Sequence, residues 1–376
     1  MPPSEAEIEP QRLGERLAAL PGIDRLREAA SPLAAFLVGG AVRDLLLGRG
    51  RADIDVAVEG EVAELARRLG GKTRSHERFG TASVRVDGLE VDLAASRSET
   101  YARPGALPEV QPATLAADLA RRDFTVNAMA VPLRGDPDLI DPHGGLDDLR
   151  RGELRVLHPG SFEDDPTRAL RAARYAARYG FTLERATAEL IRRADLSTVS
   201  GDRREAELRK LAAEPTAAKG FELLREWGLL DLRRELLNLA AAVGELTAEE
   251  PWRAVAPRTD AVLAAALGRG VDQARELAAA DPGRPSEAVE RARGRTGVEL
   301  ALARALGAQW LDRYVAEWRA VRLEITGSDL IAEGVGEGPA VGRGLREALR
   351  AKLDGEVSGR SQELRAALAA ARDNGP

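Results

Sequence analysis

The stretch VGGAVRDLLLG (38–48), followed five residues later by Asp53-x-Asp55, decides how this chain reads. The apolar run LAAFLV (33–38) predicts a strand ending at Gly39-Gly40, and AVRDLLLG (41–48) predicts a helix closed by Gly48. Two adjacent glycines there let the backbone approach a ligand closely, and the following helix N-terminus offers N–H groups and a dipole suited to phosphate. ADIDVAV (52–58) alternates as a strand, so Asp53 and Asp55 project from one face. Convergent carboxylates suit Mg²⁺ far better than they suit a core. TASVRV (81–86) and LEVDLAA (89–95), joined by Asp87-Gly88, predict a hairpin. Within it Asp92 faces away from Val91 and Leu93, where it could complete a three-carboxylate, two-metal site. The chain has neither G-x-x-x-x-G-K-[ST] nor G-x-G-x-x-G after the first strand, which excludes a P-loop and a dinucleotide fingerprint.

Composition bounds what surrounds this unit. The 376 residues carry 55 basic and 61 acidic side chains, a net charge of -6, with 44% apolar content. That length predicts two or three packed units. Cysteine is absent, which excludes disulfides, thiol catalysis and Cys-containing metal sites, and three histidines are too few for a His cluster. No apolar run approaches the roughly 18 residues of a membrane span, and the N-terminus is acidic and polar, so a cytoplasmic protein is expected. Only four of the 55 basic residues are lysine. So large an arginine excess reflects base composition in bulk, and individual arginines must be argued from position.

Past the hairpin, 97–113 carries Pro104, Gly105, Pro108 and Pro112 without hydrophobic period and reads as a long loop. RRDFTVN (121–127) groups Arg121 and Arg122 with Asp123 and Asn127 ahead of an apolar strand, NAMAV. From about residue 162 onward the pattern is helical, rich in Ala, Leu, Glu and Arg. EDDPTR (163–168) places Asp165 as a cap before Pro166 at a helix start. Arg168, Arg171, Arg174 and Arg178 then recur at three- and four-residue spacing on one face. Such a stripe repels itself unless it faces anions, which favours phosphate. Arg203 and Glu207, four apart, suit an intrahelical pair.

LVGGAVRDLLLG with DID, RRDFTVNAMA, DPHGGLDDL (141–149) and DDPTRALRAARY (164–175) resemble, in order, the class II tRNA nucleotidyltransferase and bacterial poly(A) polymerase family. The resemblance covers about residues 33–235. GDRREAELRKL (201–211) is similar to the family's neck motif, and 325–345 to the tail of its tRNA-specific members. It implies an α/β, polymerase-beta-like nucleotidyltransferase head at 33–150, behind an N-terminal helical extension at 1–32. An all-helical neck that reads the base would follow at 151–235, then a tRNA-binding helical body and tail at 236–376.

The activity implied is template-independent addition of CMP, CMP and AMP to the 3′ end of tRNA, from CTP and ATP. By position, Asp53 and Asp55 would hold Mg²⁺, with Asp92 as a further catalytic carboxylate. Gly40 and Arg43 would meet the triphosphate, with Gly39 shaping the turn. Arg121 or Arg122 would contact phosphate, and Asp123 and Asn127 the sugar. Asp165 and Arg168 would face the Watson–Crick edge, with Arg171 and Arg174 nearby on phosphate. Relatives have Glu-Asp where this chain has Asp164-Asp165, which puts the support given by Asp164 in doubt. The residues leave open an enzyme adding only A or only CC, a poly(A) polymerase, or a non-catalytic RNA-binding scaffold. The segment ETYARPGALPEV (99–110) disfavours CC-only addition, because in the family an intact loop here accompanies addition of A.

Overall fold

The computed structural model describes residues 8, 10–49, 53–70, 72–76 and 80–373, which divide into two compact units at 231/232. In the first, helices α1 (Leu13–Ala18) and α2 (Ile23–Ala30) precede strand β1 (Ala34–Val38) and helix α3 (Gly40–Leu46). Strand β2 (Asp53–Glu59), helix α4 (Val62–Leu69) and strands β3 (Lys72–His76), β4 (Thr81–Val86) and β5 (Leu89–Ala95) follow. Next come β6 (Arg97–Thr100), β7 (Glu109–Pro112), α5 (Leu115–Ala120), β8 (Ala130–Pro132), α6 (Gly145–Arg151) and β9 (Glu153–Leu154). The unit continues with α7 (Ser161–Asp164), α8 (Thr167–Tyr179), β10 (Thr182–Leu183), α9 (Arg185–Ile191), α10 (Gly201–Ala213) and α11 (Ala217–Glu226).

The main sheet has the order β3-β4-β5-β2-β1-β8 and is mixed: β2 and β5 run parallel, the other neighbours antiparallel. One face is apolar through Leu37, Ile54, Val56, Val84, Val91 and Leu93, and packs on Leu17, Leu26 and Leu65 from α1, α2 and α4. Period-2 alternation sends the remaining residues to the other face. There α5 lays Leu115 and Leu119 over Val38, Ala57 and Ala130. Short α5 leaves Asp55 and Asp92 beyond its cover, both exposed. A half-buried sheet thus has one face packed for stability and part of the other open to solvent.

Two expectations change here. The segment 97–113 is a hairpin, pairing Arg97 with Pro112 and Thr100 with Glu109. Its alternation is polar: Arg97, Glu99 and Tyr101 share a side, where Arg97 Nη2 and Tyr101 Oη both donate to the Glu99 carboxylate at 3.0 Å. A search for apolar period passes over such a strand. NAMAV is not one strand either: Thr125–Asn127 forms a 3-10 turn and only Ala130–Pro132 is extended.

The second unit is built from helices α12 (Arg234–Leu246), α13 (Arg258–Ala266), α14 (Val271–Ala278), α15 (Pro285–Ala292) and α16 (Gly297–Ala305). To these it adds α17 (Trp310–Ala316), α18 (Gly327–Ala332), α19 (Pro339–Leu353) and α20 (Arg360–Arg372). Small residues allow close helix approach: a Cβ on Gly344 of α19 would meet the Ala367 carbonyl of α20 at 2.6 Å. The Glu363 side chain, fully buried, accepts from Lys352 Nζ at 2.6 Å and from the Glu324 N–H at 2.7 Å. No helix among the described residues is long and apolar enough to cross a membrane.

Candidate active site

The register of β2 on β5 pairs Asp55 directly with Asp92, and Asp53 with Glu90. The side chain of Asp53 lies outside the described residues. In-register residues of neighbouring strands stand on one face about 4.8 Å apart, so Asp55 and Asp92 present two hard oxygen donors side by side. Asp92 also accepts from Ser83 Oγ at 2.5 Å. A divalent, oxygen-loving cation fits this donor set, with Asp53 two positions along the same strand. Among the described side chains alone, no three such ligands converge.

Gly39 sits at φ +68°, and a Cβ there would lie 2.4 Å from Arg122 Nη1. The backbone conformation requires glycine and explains the first residue of the Gly-Gly pair, which also leaves room for the Arg122 guanidinium. From α3, Arg43 turns inward and is 3% exposed. Its Nε donates to Asp44 at 3.0 Å, Nη1 to Asn127 Oδ1 and Nη2 to Tyr179 Oη at 2.5 Å. Its guanidinium carbon lies 4.4 Å from the Tyr179 ring centre. Burial opposes its charge, but Asp44 and the two tyrosines hold the proton on. Asn127 then donates to Asp123 Oδ1 at 2.9 Å, and Asp123 Oδ2 accepts from Arg171 Nε at 2.8 Å. One continuous chain of bonds therefore links α3 to α8. Although burial works against it, Arg171, Asn127 and Arg168 bring the Asp123 carboxyl down to about 2.

Arg121 and Arg122 are fixed by a residue the sequence did not single out. Asp118, 1% exposed in the first turn of α5, accepts from Arg121 at 2.7 Å and Arg122 at 2.8 Å. Burial disfavours its charge, and the two guanidiniums outweigh that and hold it below the usual carboxylate range. Arg121 also bonds Glu99 on the hairpin at 2.8 Å. Its only sequence signal is the i, i+3 and i+4 spacing of Asp118 to the arginine pair.

On α8 the four arginines do not form one uniform stripe. Arg168, 5% exposed, donates to Ser161 Oγ at 2.6 Å and to the Arg121 carbonyl at 2.8 Å. Arg171 and Arg174 lie 3.8 Å from the Glu207 carboxylate, and Arg174 and Arg178 within 3.8 Å and 3.3 Å of Glu214. Asp165 Oδ1 caps α8 by accepting from the Thr167 N–H at 3.0 Å, and also takes Arg203 Nη2 at 2.9 Å. The expected Arg203–Glu207 intrahelical pair is thus replaced. Arg203 reaches Asp165 and, through Nη1, the Gly105 carbonyl at the hairpin tip at 2.9 Å, while Glu207 faces α8 and bonds Lys210. Helical spacing gave the shared face of α10 but not what lies opposite it.

A cleft of 660 Å³ gathers Gly40, Arg43, Asp55, Arg121, Arg122, Asp123, Asn127, Asp165, Arg168, Arg171 and Arg174 on its walls. Asp92 lines an adjoining hollow of 420 Å³ that shares Asp55, Arg121 and Arg122. An opening with a carboxylate edge and an arginine wall suits a polyanion bound through a metal.

Residues 35–155 match the Poly A polymerase head domain family, and 180–233 the probable RNA and SrmB-binding site of polymerase A. A CC-adding tRNA nucleotidyltransferase of Deinococcus radiodurans is 37% identical over 92% of this chain and 93% of its own. The chain belongs to the tRNA nucleotidyltransferase family. Another member, the CCA-adding enzyme of Geobacillus stearothermophilus, is 31% identical over 89% of this chain and 92% of its own. An A-adding tRNA nucleotidyltransferase of Aquifex aeolicus is 49% identical over 43% of this chain, which spans 20% of that relative; it spans 45% and 56% of two further A-adding relatives. A solved CCA-adding enzyme in an apo form superposes with a TM-score of 0.79 at 28% identity, covering 97% of both chains.

Proposed function

We propose that this family member adds CMP, CMP and AMP in turn to the 3′ end of tRNA, consuming CTP and ATP and releasing pyrophosphate. The observation that carries this reading is the single cleft in which Asp55 of the sheet faces the arginines of α8 and the Asp165–Arg168 pair. The match in fold and length to a CCA-adding enzyme supports it.

Asp53 and Asp55, with Asp92, would hold Mg²⁺, which when bound neutralises charge at the reacting phosphate and favours ionisation of the attacking hydroxyl. The tRNA 3′-hydroxyl attacks the α-phosphorus in line, and pyrophosphate leaves. Gly40, Arg171 and Arg174 bind the triphosphate, with Arg121 and Arg122 held nearby by Asp118. Arg43, its donors engaged, acts by fixing Asn127 and so Asp123 against the sugar. Asp165 Oδ1 is taken by Thr167 and Arg203, which leaves Oδ2 to accept from the exocyclic amine of cytosine or adenine. Arg168 donates to the adjacent acceptor. Uracil and guanine present a carbonyl to Asp165, leaving polar groups unpaired at a cost of about 1–3 kcal/mol.

Within this reading, 33–150 is the catalytic head, 151–235 the neck, and 236–376 the body and tail that hold tRNA by shape and phosphate contacts. Ahead of the head, α1 and α2 help to back the sheet. A cytoplasmic setting goes with such a substrate. The test offers tRNAs ending before CCA, after C and after CC to the purified protein with Mg²⁺ and each nucleotide separately, then CTP and ATP together. Two C and then one A is the expected result. A added only to the CC-ended tRNA, C without A, or long A tails would each replace this reading with a narrower enzyme or a poly(A) polymerase. No incorporation would leave an RNA-binding scaffold.

A further inference from the structure

Glu207 is 8% exposed, and its Oε2 is buried without a hydrogen-bond donor. Oε1 takes Lys210 Nζ at 2.7 Å. Arg171 and Arg174 stand 3.8 Å away, inside Coulomb range but beyond hydrogen-bond length, and the Nε of Arg174 is likewise buried without an acceptor. A permanent structural bridge would close to about 2.8 Å and satisfy both partners. A carboxylate and two arginines held slightly apart on the wall of a cleft are instead poised for exchange. From the packed elements, the charged groups facing Glu207 are Arg171 and Arg174 of α8 and Lys210 of its own helix.

We propose that Glu207 is a positioning residue that serves as a counter-ion to Arg171 and Arg174 while the cleft is empty, and competes with the triphosphate and the departing pyrophosphate for them. This rests on the nucleotidyltransferase reading. Its consequence is that Glu207 weakens anion binding and thereby hastens pyrophosphate release.

Removing one buried negative charge beside an anion site strengthens the site. Glu207→Gln is expected to lower KM for CTP and ATP alike by about 3- to 10-fold. The same factor is expected in the affinity for inorganic pyrophosphate, measured by calorimetry on the full chain without tRNA. The value of kcat should fall or hold, because product leaves more slowly. Glu207→Asp, which keeps the charge, should stay near wild type. A merely structural role would lower kcat and melting temperature without tightening pyrophosphate. Should Glu207→Gln fail to fold, Glu207→Ser, which leaves room for water, carries the same expectation. Unchanged or weaker pyrophosphate binding in a folded neutral variant overturns the proposal. Tighter binding with a wild type that transfers no nucleotide upholds Glu207 as the counter-ion of an anion site and sinks the transfer reading instead.

Discussion

The sheet wall of the cleft presents Asp55 and Asp92 exposed, positioned by strand register and alternation, whereas on the α8 wall Arg168 and Arg171 are hydrogen-bonded within the protein and Arg174 lies in Coulomb range of two carboxylates. Exposed carboxylates contribute little to stability, so their chemistry can be altered without unfolding the domain. The arginines are knitted into the fold: Asp123 and Glu207 aim Arg171 before any ligand arrives, as Asp118 does Arg121 and Arg122 beside α8. In the proposed reaction, the difference separates groups that would hold the metal from groups that must first be arranged.

The sharpest way to break this comparison is at Asp55. Asp55→Asn should lower nucleotide addition by about 10³-fold while shifting the melting temperature by no more than about 2 °C; a large stability loss would place Asp55 with the arranged residues. On the other side, Asp118→Ala removes the buried carboxylate that Arg121 and Arg122 share, leaving Arg121 on Glu99 alone among carboxylates. It should cost about 3 kcal/mol in chemical denaturation, in addition to activity.

Asp123 sharpens the contrast through pH. Its folded carboxyl is lowered to about 2, so its contribution is fully present above the unfolded value near 4 and is lost as pH falls toward 2. Asp123→Asn should therefore cost about 2 kcal/mol at pH 7, and the gap to wild type should narrow below pH 4 in acid-melting curves. A gap independent of pH would detach Asp123 from Arg171. The smallest effect is expected at Asp165, where Asn keeps the shape and adds a donor. Its preference for CTP over UTP should drop by about tenfold in single-nucleotide incorporation, with little change in stability.

Much of the head unit could be read from residues because its signals are local. Gly39-Gly40, the Asp53-x-Asp55 alternation and the Asp87-Gly88 hairpin each act over a few positions. The polar hairpin at 97–112 escaped because its strands are stabilised by Arg97–Glu99 and Arg121–Glu99 bonds rather than by an apolar face. Asp118, Asp44 and Tyr179 escaped for a different reason. A buried charge is recognisable only with its partner, and Arg43 and Tyr179 are 136 residues apart. Arg203 and Glu207 were seen as neighbours on a helix, but their partners on α8 lie across a tertiary contact that spacing cannot reveal.

The pairing of Asp55 with Asp92 carries a rule of parity. An insertion of one residue inside β5 ahead of Asp92 would rotate that carboxylate into the layer of Val91 and Leu93, while a bulge-free shift of two would restore it to the open face. Length changes at the Asp87-Gly88 tip can be absorbed outside the ladder. Lineages of this chain should therefore vary freely at the tip of the hairpin and hardly at all along its last strand.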